Sequence, residues 1–188
     1  KTAYEIYQCD WSSDVCSSDL LRDGRRQIIA LYLPGEICEP EWLIAPDTSF
    51  PVIALTPVRV EEVALAPLCS SRAEPIAEEV LHALHEGCER QSQMLVGLGR
   101  LSATERICLV LSDMFTRLRA IIPGQMVRAT VPLTQQDLAD LVGLTPIHVN
   151  RTLKALKTSK MIDWQGRTVT VPDVAALRAC GQLEPEAG

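Results

Sequence analysis

The stretch from Leu133 to Leu156 constrains this chain most, because it contains two short amphipathic segments separated by Gly143-Leu144-Thr145. Glycine supplies the positive φ that ends a helix, and Pro146 fits the first position of the next helix, where its missing N–H costs nothing. Thr134 is expected to cap the first helix, with Asp137 in the capping-box position. The apolar positions are Leu138, Ala139, Leu141 and Val142 in the first segment and Ile147, Val149, Leu153 and Leu156 in the second. Two helices joined by a glycine turn within about twenty-five residues predict a helix-turn-helix.

The second helix of this pair is basic. Between positions 146 and 160 its charged residues are Arg151, Lys154, Lys157 and Lys160, and no acid is present. Residues 125–171 hold six basic and three acidic residues, residues 1–100 hold eight basic and sixteen acidic ones, and the whole chain carries a net charge of −6. An acidic protein with one basic face presents that face to polyanions such as double-stranded DNA. The alternative is a solvated lysine face on a structural helix.

A compact turn, Gln165-Gly166-Arg167, lies between two strand-like runs at 161–164 and 168–171. Its glycine is able to take the positive φ of a hairpin turn. Directly after a basic helix, such a hairpin is predicted to be a wing, with Arg167 near its tip in reach of a phosphate. Residues 173–180 are predicted to form a short closing helix.

A heptad pattern precedes the helix-turn-helix. Its seam recurs at spacings of four and three along Val80, Leu84, Gly87, Gln91, Met94, Leu98 and Leu101, with Leu81, Cys88 and Leu95 beside it. Such a seam predicts a parallel coiled-coil homodimer in which Gln91 sets the register. The alternative is a single helix packed on its own domain. Gly97 and Gly99 predict a hinge, because the capping box Ser102-Ala103-Thr104-Glu105 then opens a new helix.

The region before this helix is predicted to be all β. Asp23-Gly24 and Pro34-Gly35 are turn signals on either side of the apolar run 27–33, and further prolines leave no room for a helix of normal length. Short strand-like runs follow at 52–55 and 58–63.

The first twenty residues show no apolar period, no helix cap and no signal-peptide core, so the sequence predicts neither strands nor a secretory leader there. Residues 10–20 match the translation of a common sequencing-library adapter, and residues 1–6 match the other end of the same oligonucleotide. We therefore expect residues 1–20 to be non-native and the native N-terminus to be missing; the alternative is a natural tail. The expected order is then a partial β domain at 21–73, a dimerisation helix at 74–101 and a winged helix-turn-helix at 102–180.

Composition excludes several classes of protein. Apolar residues make up 47% of the chain and charged residues 22%, and no apolar run approaches the ~18 residues that span a bilayer. The seven cysteines have neither disulfide-framework nor iron–sulfur spacing. The sequence contains no nucleophile–base pair, phosphate-cradling glycine loop or zinc signature. We therefore predict a cytoplasmic protein that is not an enzyme and has no membrane partner.

A resemblance to the cyclic-AMP receptor protein/Fnr family of bacterial transcription regulators is found in residues 132–153, which read PLTQQDLADLVGLTPIHVNRTL. Leu98-Gly99-Arg100, Asp23-Gly24 and Leu33-Pro34-Gly35-Glu36 fit the family as well. The resemblance implies an α+β fold with a cyclic-nucleotide-binding-like β-roll, here truncated, a long dimerisation helix and a C-terminal winged helix-turn-helix. It also implies a homodimer on a near-palindromic operator, controlled by an effector domain, with RNA polymerase as a partner if the protein is an activator.

In this family the N-terminal end of the recognition helix reads bases. By resemblance, Arg151 is expected to bond guanine O6 and N7, Asn150 to contact adenine or a phosphate, and Ile147 to pack on a thymine methyl. The complete set of predicted DNA-binding residues is Thr134, Gln135, Thr145, Pro146, Ile147, His148, Asn150, Arg151, Lys154 and Arg167. Pro146 and Ile147 stand where many members carry an arginine and a glutamate, so we do not expect the family's familiar operator.

The effector region departs from the cyclic-nucleotide-binding members. Where they carry a Gly-Glu pair and an Arg-Ser pair, this chain has Cys38-Glu39 and Thr48-Ser49. Because Thr48 replaces the arginine that binds the phosphate, a cyclic nucleotide is not expected and no cofactor is predicted. Glu39, Thr48 and Ser49 are the candidate effector-binding residues.

Two alternatives to these assignments stay open. Glu78, His82, His85 and Glu89 share one helix face, which indicates either a metal site or, as we favour, a hydrated helix exterior. The whole chain could instead be a dimeric effector-binding or scaffold protein whose helix-turn-helix contacts a protein partner. Salt separates this hypothesis from DNA binding, because phosphate contacts weaken steeply with ionic strength.

Overall fold

The chain begins with two antiparallel sheets. The computed structural model describes residues 5–9, 15–43, 51–64, 74–121, 128–131 and 133–182. In residues 1–92, the first of two compact units, the described strands are β1 (Glu5–Cys9), β2 (Val15–Leu20), β3 (Arg26–Tyr32), β4 (Ile37–Cys38), β5 (Val52–Ala54) and β6 (Val60–Ala64). They pair antiparallel in the orders β4-β1-β6 and β3-β2-β5. A short 3-10 helix, Pro40–Leu43, follows β4.

Strands β1 and β2 lie within the first twenty residues, where the sequence predicted no strand, and that prediction is wrong. Each is the central strand of its sheet. Strand pairing uses backbone N–H and C=O groups, which nearly every residue has, so a segment without an alternating pattern can still pair. A register shift between Ser17 and Ser18 marks a β-bulge in the polar part of β2. The non-native origin of residues 1–20 stays a prediction.

The turns and strands predicted for residues 21–64 are confirmed. Gly24 and Gly35 have φ of 84° and 85°, a region that disfavours residues with a Cβ, and they flank β3 on both sides. The buried apolar side chains of this unit include Ile28, Leu31, Tyr32, Leu33 and Cys38. The described part of this segment contains no α-helix.

A 27-residue helix, α1 (Glu74–Arg100), occupies the range predicted for the dimerisation helix. Gly97 and Gly99 do not interrupt it, so the hinge predicted at these glycines is not a break in the helix, and the backbone leaves α1 only at Leu101 and Ser102. A Cβ at Gly97 would lie 2.9 Å from Leu109 Cδ2, so this glycine permits a close approach to the following helix. None of the helices in the described ranges is long and apolar enough to cross a membrane.

Residues 93–188 form the second compact unit. After the end of α1, its described elements are α2 (Ala103–Ile121), β7 (Arg128–Thr130), α3 (Gln135–Val142), α4 (Pro146–Thr158), β8 (Asp163–Gln165), β9 (Thr168–Thr170) and α5 (Val174–Cys180). The strands form an antiparallel sheet in the order β7-β9-β8. The predicted capping box opens α2, because Ser102 N–H donates to Glu105 Oε2 over 2.7 Å and Glu105 N–H donates to Ser102 Oγ over 3.4 Å. The positions of α3 and α4 confirm the predicted helix-turn-helix, β8 and β9 confirm the wing, and α5 confirms the closing helix.

The core of this unit is built around the buried face of α2. Its largest fully buried side chains are Ile107, Leu111, Met114 and Phe115 from α2, with Leu133, Leu138, Ile162 and Leu177 from the surrounding elements. Strand β7 was not predicted, because three residues are too few to show an alternating pattern. Directly after it, Val131 N–H donates to Arg167 O over 2.7 Å, which attaches this segment to the wing.

Candidate nucleic-acid interface

The first helix of the helix-turn-helix, α3, begins with a complete capping box. Thr134 Oγ1 accepts from Asp137 N–H over 3.1 Å, while Asp137 Oδ2 accepts from Thr134 N–H over 2.9 Å and from its hydroxyl over 2.6 Å. Asp137 is buried, so its carboxylate serves the helix end rather than a ligand. Gln135 follows at the exposed start of α3.

The turn between α3 and α4 has the geometry that the sequence predicted. Gly143 takes the left-handed conformation with φ 64° and ψ 39°, and Leu144 N–H returns to Ala139 O over 3.0 Å. Arg106 of α2 donates from Nη1 to the terminal carbonyl of α3 at Val142 over 3.1 Å. The end of α3 is therefore satisfied from within the protein and is joined to α2.

Helix α4 starts at Pro146, and its N-cap Thr145 accepts a bond from His148 N–H over 3.3 Å. One face of the helix is buried through Val149, Thr152, Leu153 and Leu156. The opposite face carries Ile147, Arg151 and Lys154 at spacings of four and three, and all three are exposed. The side chain of Ile147 is 84% exposed, which is unusual for a large apolar residue and places it where a ligand can contact it.

Two of the predicted DNA-binding residues bond to each other. Asn150 Nδ2 donates to Gln135 Oε1 over 3.0 Å, so the start of α3 is linked to the second turn of α4. This bond uses one of the two Nδ2 hydrogens of Asn150, so its second hydrogen and its Oδ1 acceptor stay outside the bond. Gln135 in turn presents its Nε2, a donor suited to a phosphate oxygen.

Lys157 has a different role from the other lysines of α4. Its Nζ lies 2.7 Å from Asp163 Oδ1 on β8, and Gln165 Nε2 donates to Asp163 Oδ2 over 2.6 Å. The hydrogen bond from Lys157, followed by that from Gln165, lowers the pKa of Asp163 from its usual value. This ion pair joins the end of the recognition helix to the wing, a positioning contact that the sequence did not predict.

The wing turn places Arg167 at the surface. Gly166 has φ 60°, and Trp164 Nε1 donates to Gly166 O over 2.9 Å, which closes the turn across its own backbone. Arg167 is exposed, while its carbonyl is held by Val131. Arg167, the predicted phosphate-contacting residue, therefore lies on a hairpin whose turn is held by two hydrogen bonds.

The acidic residues near this surface are occupied by the protein itself. Asp137 is in the cap, Asp163 is paired with Lys157, and Asp140 Oδ1 accepts from Gln136 Nε2 over 2.6 Å. The face formed by Gln135, Ile147, Asn150, Arg151 and Lys154 contains cationic, amide and apolar groups without a carboxylate, and all of these residues except the half-buried Asn150 are exposed. We call these five residues the basic face of α3 and α4.

The effector residues lie in the first unit, apart from this face in sequence. Tyr32 Oη donates to Glu39 Oε1 over 2.9 Å, and Glu39 is only 3% exposed. Burial, and then the charge of Glu39, raises the pKa of the Tyr32 hydroxyl far above its usual value, which keeps it a donor. Thr48 and Ser49 lie outside the described residues, so the expectation that no cyclic nucleotide binds stays a prediction.

The predicted dimer seam on α1 is only partly accessible. Val80 is 5% exposed and therefore buried in the single chain, Leu84, Met94 and Leu98 are half-buried, and Gln91 is exposed. The neighbouring stripe is more open: Leu81 is 66% and Leu95 is 73% exposed, and Cys88 lies between them, also exposed. A partner helix would therefore meet Leu81, Cys88 and Leu95 before Val80.

The candidate metal cluster on α1 has the contacts of a solvated helix surface. His82 Nδ1 lies 3.6 Å from Glu86 Oε1, and Arg90 Nη1 lies 3.3 Å from Glu86 Oε2. Among the residues that the structure describes, which include Glu78, His85 and Glu89, no three such side chains are arranged to hold a metal ion.

Comparison with known proteins identifies the family. A model of the Crp-like helix-turn-helix domain matches residues 105–180. Nitrogen fixation regulation protein FixK of Rhizobium meliloti is 34% identical over 161 residues, which cover 85% of this chain and 71% of that relative. The chain belongs to the Crp/Fnr family of transcription regulators.

Two further proteins match over similar ranges. Transcriptional activatory protein AadR of Rhodopseudomonas palustris is 35% identical over 159 residues, covering 82% of this chain and 62% of that protein. The structure of FixK2 from Bradyrhizobium japonicum has the same fold, with a TM-score of 0.71 at 24% identity over 98% of this chain and 89% of that one. The chain spans 58–71% of the length of its FixK and AadR relatives.

We expect Asp137→Ala to lower the free energy of unfolding by about 1–2 kcal/mol, because the Thr134 N–H loses its acceptor and α3 loses its cap. Asp140→Ala is the matched control on the same helix and should cost less than about 0.5 kcal/mol, because that carboxylate is partly solvated. Urea unfolding followed by far-UV circular dichroism measures both. Equal losses in the two variants would contradict the role assigned to Asp137.

Proposed function

We propose that the chain binds a near-palindromic DNA operator as a homodimer and regulates transcription by this binding rather than by catalysis. The observation behind the proposal is the basic face of α3 and α4, which presents exposed Arg151 and Lys154 and contains no carboxylate among its five residues. In two-fold dimers of this class, recognition helices enter successive major grooves about 34 Å apart, so the half-sites are one helical turn apart. A signal received by the N-terminal domain would act by changing the distance between the two recognition helices, and so how well they fit the two half-sites.

The contacts divide into those that read bases and those that position the duplex. Arg151 presents a fork that matches guanine O6 and N7, and Asn150 presents an acceptor that suits an exocyclic amino group of adenine or cytosine. Gln135, Lys154 and Arg167 supply donors and charge to phosphates, which fix the register but carry no sequence information. Ile147 supplies an apolar contact for a thymine methyl.

Arg151→Ala and Lys154→Ala should therefore have different effects in selection of bound duplexes from a random pool. The unaltered chain should enrich a two-fold site. Arg151→Ala should lose about 1–3 kcal/mol of discrimination at one base pair of each half-site, because the bidentate contact is lost. Lys154→Ala should weaken all duplexes alike and reduce the slope of log K against log salt by about two, because each protomer of the dimer loses one phosphate contact.

Two results would count against this proposal. Full sequence discrimination by the Arg151→Ala variant would remove Arg151 from the base-reading set. Binding that shows neither enrichment of a two-fold site nor salt dependence would favour the competing hypothesis, in which the helix-turn-helix contacts a protein.

The exposure of Ile147 predicts a contact with a thymine methyl group. This contact can be removed by changing either the protein or the DNA. Replacing the contacted thymine by deoxyuridine deletes one methyl group and should weaken binding by about 1 kcal/mol or less. In the Ile147→Ala variant the same base replacement should have no effect, because the methyl has lost its partner. Competition binding with matched thymine and uracil duplexes measures this double-mutant cycle. An equal loss in both proteins would show that Ile147 does not contact the methyl.

The homodimer is proposed to form along the exposed stripe of α1. Leu81, Cys88 and Leu95 recur every seven residues, and Leu84 and Gln91 lie between them at coiled-coil spacing. Large exposed apolar side chains repeated along one helix face are typical of an interface rather than of a solvated helix.

Cysteine cross-linking tests both the face and the direction of pairing. In a Cys88→Ser background, Leu81→Cys should give covalent dimers on mild oxidation, because parallel in-register helices bring the two copies of position 81 together. Glu79→Cys is the control, since it is exposed but lies off the stripe. Peptide mapping identifies the linked positions. If links form only when Leu81→Cys and Leu95→Cys chains are mixed, the helices pair antiparallel and the parallel dimer is wrong.

A further inference from the structure

Two cysteine thiols meet inside the second unit, at a place that DNA binding does not use. Cys108 lies on α2 and is completely buried, and Cys180 is the last residue of α5 and is partly exposed. The side chain of Cys180 lies near enough to the Cys108 thiol to affect its protonation. The two residues are 72 positions apart in sequence, so no spacing rule for cysteines would have paired them.

The position of α5 on α2 is fixed on both sides of this thiol pair. Arg178 Nη1 donates to Thr116 Oγ1 over 3.3 Å, and Gln182 Nε2 donates to Glu105 Oε1 over 3.1 Å. Cys180 lies between these two donors, and Cys108 lies between the two acceptors. The contact between the thiols is therefore part of a defined antiparallel packing of the helices and not an isolated approach of two side chains.

The backbones of α2 and of the C-terminal end of α5 approach each other closely beside the two cysteines. A Cβ at Gly181 would lie 2.7 Å from Leu109 N, 2.8 Å from Leu109 Cα and 3.1 Å from Cys108 C. Glycine is needed here because any side chain would collide with the backbone of α2. Disulfides join residues whose Cα atoms are about 4.4–6.8 Å apart, which only backbones in such close approach provide.

The surroundings of the two sulfurs also give them different roles. Burial, and then the hydrogen bond with Cys180, raises the pKa of the Cys108 thiol, so that Cys108 stays protonated. The partly exposed Cys180 is the sulfur that a small oxidant can reach first, and the buried Cys108 is the resolving thiol.

We propose that Cys108 and Cys180 form an oxidisable pair that takes a peroxide as its substrate and closes to a disulfide across α2 and α5. The Cys180 thiolate attacks the O–O bond, giving a sulfenic acid and hydroxide. Cys108 sulfur then attacks the sulfenic sulfur, the S–S bond forms, and the departing hydroxyl leaves as water with the Cys108 proton. In total, two thiols and one hydrogen peroxide give one disulfide and two waters.

The disulfide would enclose α3, α4 and the wing in one covalent loop, since all of them lie between positions 108 and 180. Cross-linking a loop of this length restricts the unfolded chain and thereby stabilises the folded unit. Neither sulfur belongs to the basic face, so oxidation is expected to stabilise the DNA-binding unit and to leave its contact residues in place.

The test uses the full chain with Cys88→Ser, because among the described cysteines Cys88 is the one whose side chain is exposed and able to link two chains. After limited treatment with hydrogen peroxide, non-reducing peptide mapping should find the Cys108 and Cys180 peptides joined, with a loss of about 2 Da relative to the two thiols. The thermal midpoint of helix unfolding should rise by about 10 °C or more and return on reduction. Neither readout involves DNA, so failure here is distinguishable from failure of the proposed function.

The control is Cys180→Ser, which should have a reduced-state midpoint close to that of its parent and show no rise with peroxide. The proposal is overturned if Cys180 is recovered as a sulfinic or sulfonic acid while Cys108 remains a free thiol. It is equally overturned if the two peptides are joined but the midpoint falls, since the bond would then strain the packing of α5 rather than secure it.

Discussion

The left-handed turn at Gly143 is the constraint on which the DNA-binding unit depends. With φ 64° and ψ 39°, it ends α3 after eight residues and sends the chain into α4 at a fixed angle. That angle determines which side of α4 meets the core, so Val149 and Leu153 are buried while Arg151 faces outward. A residue with a Cβ would adopt this conformation only with strain. The backbone conformation of this one glycine thus determines which face of the recognition helix packs on the core and which face is left for DNA.

The hydrogen bonds around this turn show how a small domain keeps its charged face available. The polar groups at the helix ends are satisfied internally: Asp137 caps α3, and Arg106 binds the carbonyl of Val142. Asp163 on the wing is bound by Lys157 of the recognition helix. Because these pairings engage Asp137 and Asp163, and the five residues of the basic face include no carboxylate, a phosphate can pair with the cations of this face. Lys157 contributes through its ion pair with Asp163 of the wing. The sequence does not distinguish this role from that of the other lysines in the same helix.

What the sequence predicted well depends on rules that act over a few residues. Helix caps, the glycine turn and the wing turn at Gly166 each involve neighbours within a turn of backbone, and each was found where expected. The errors arise from pairing over longer distances. Strands β1 and β2 obtain their partners from residues up to 59 positions away, as Glu5 does from Ala64, and neither shows a pattern of its own. The contact of Cys108 with Cys180 and the bond between Lys157 and Asp163 likewise exist only because helices and strands are packed together.

Exposed apolar side chains have two different meanings in this chain, and their neighbours distinguish them. Leu81 and Leu95 stand on α1 two heptads apart with Cys88 midway, so their exposure repeats with the period that a partner helix would match. Ile147 is more exposed than either, yet it stands singly beside Arg151 at the start of a basic helix. A repeated stripe can bury enough apolar surface to hold two helices together. One isoleucine among cations offers only a small apolar contact, of a size that suits a single methyl group. The first arrangement suits a second copy of the chain, and the second suits a base in the major groove.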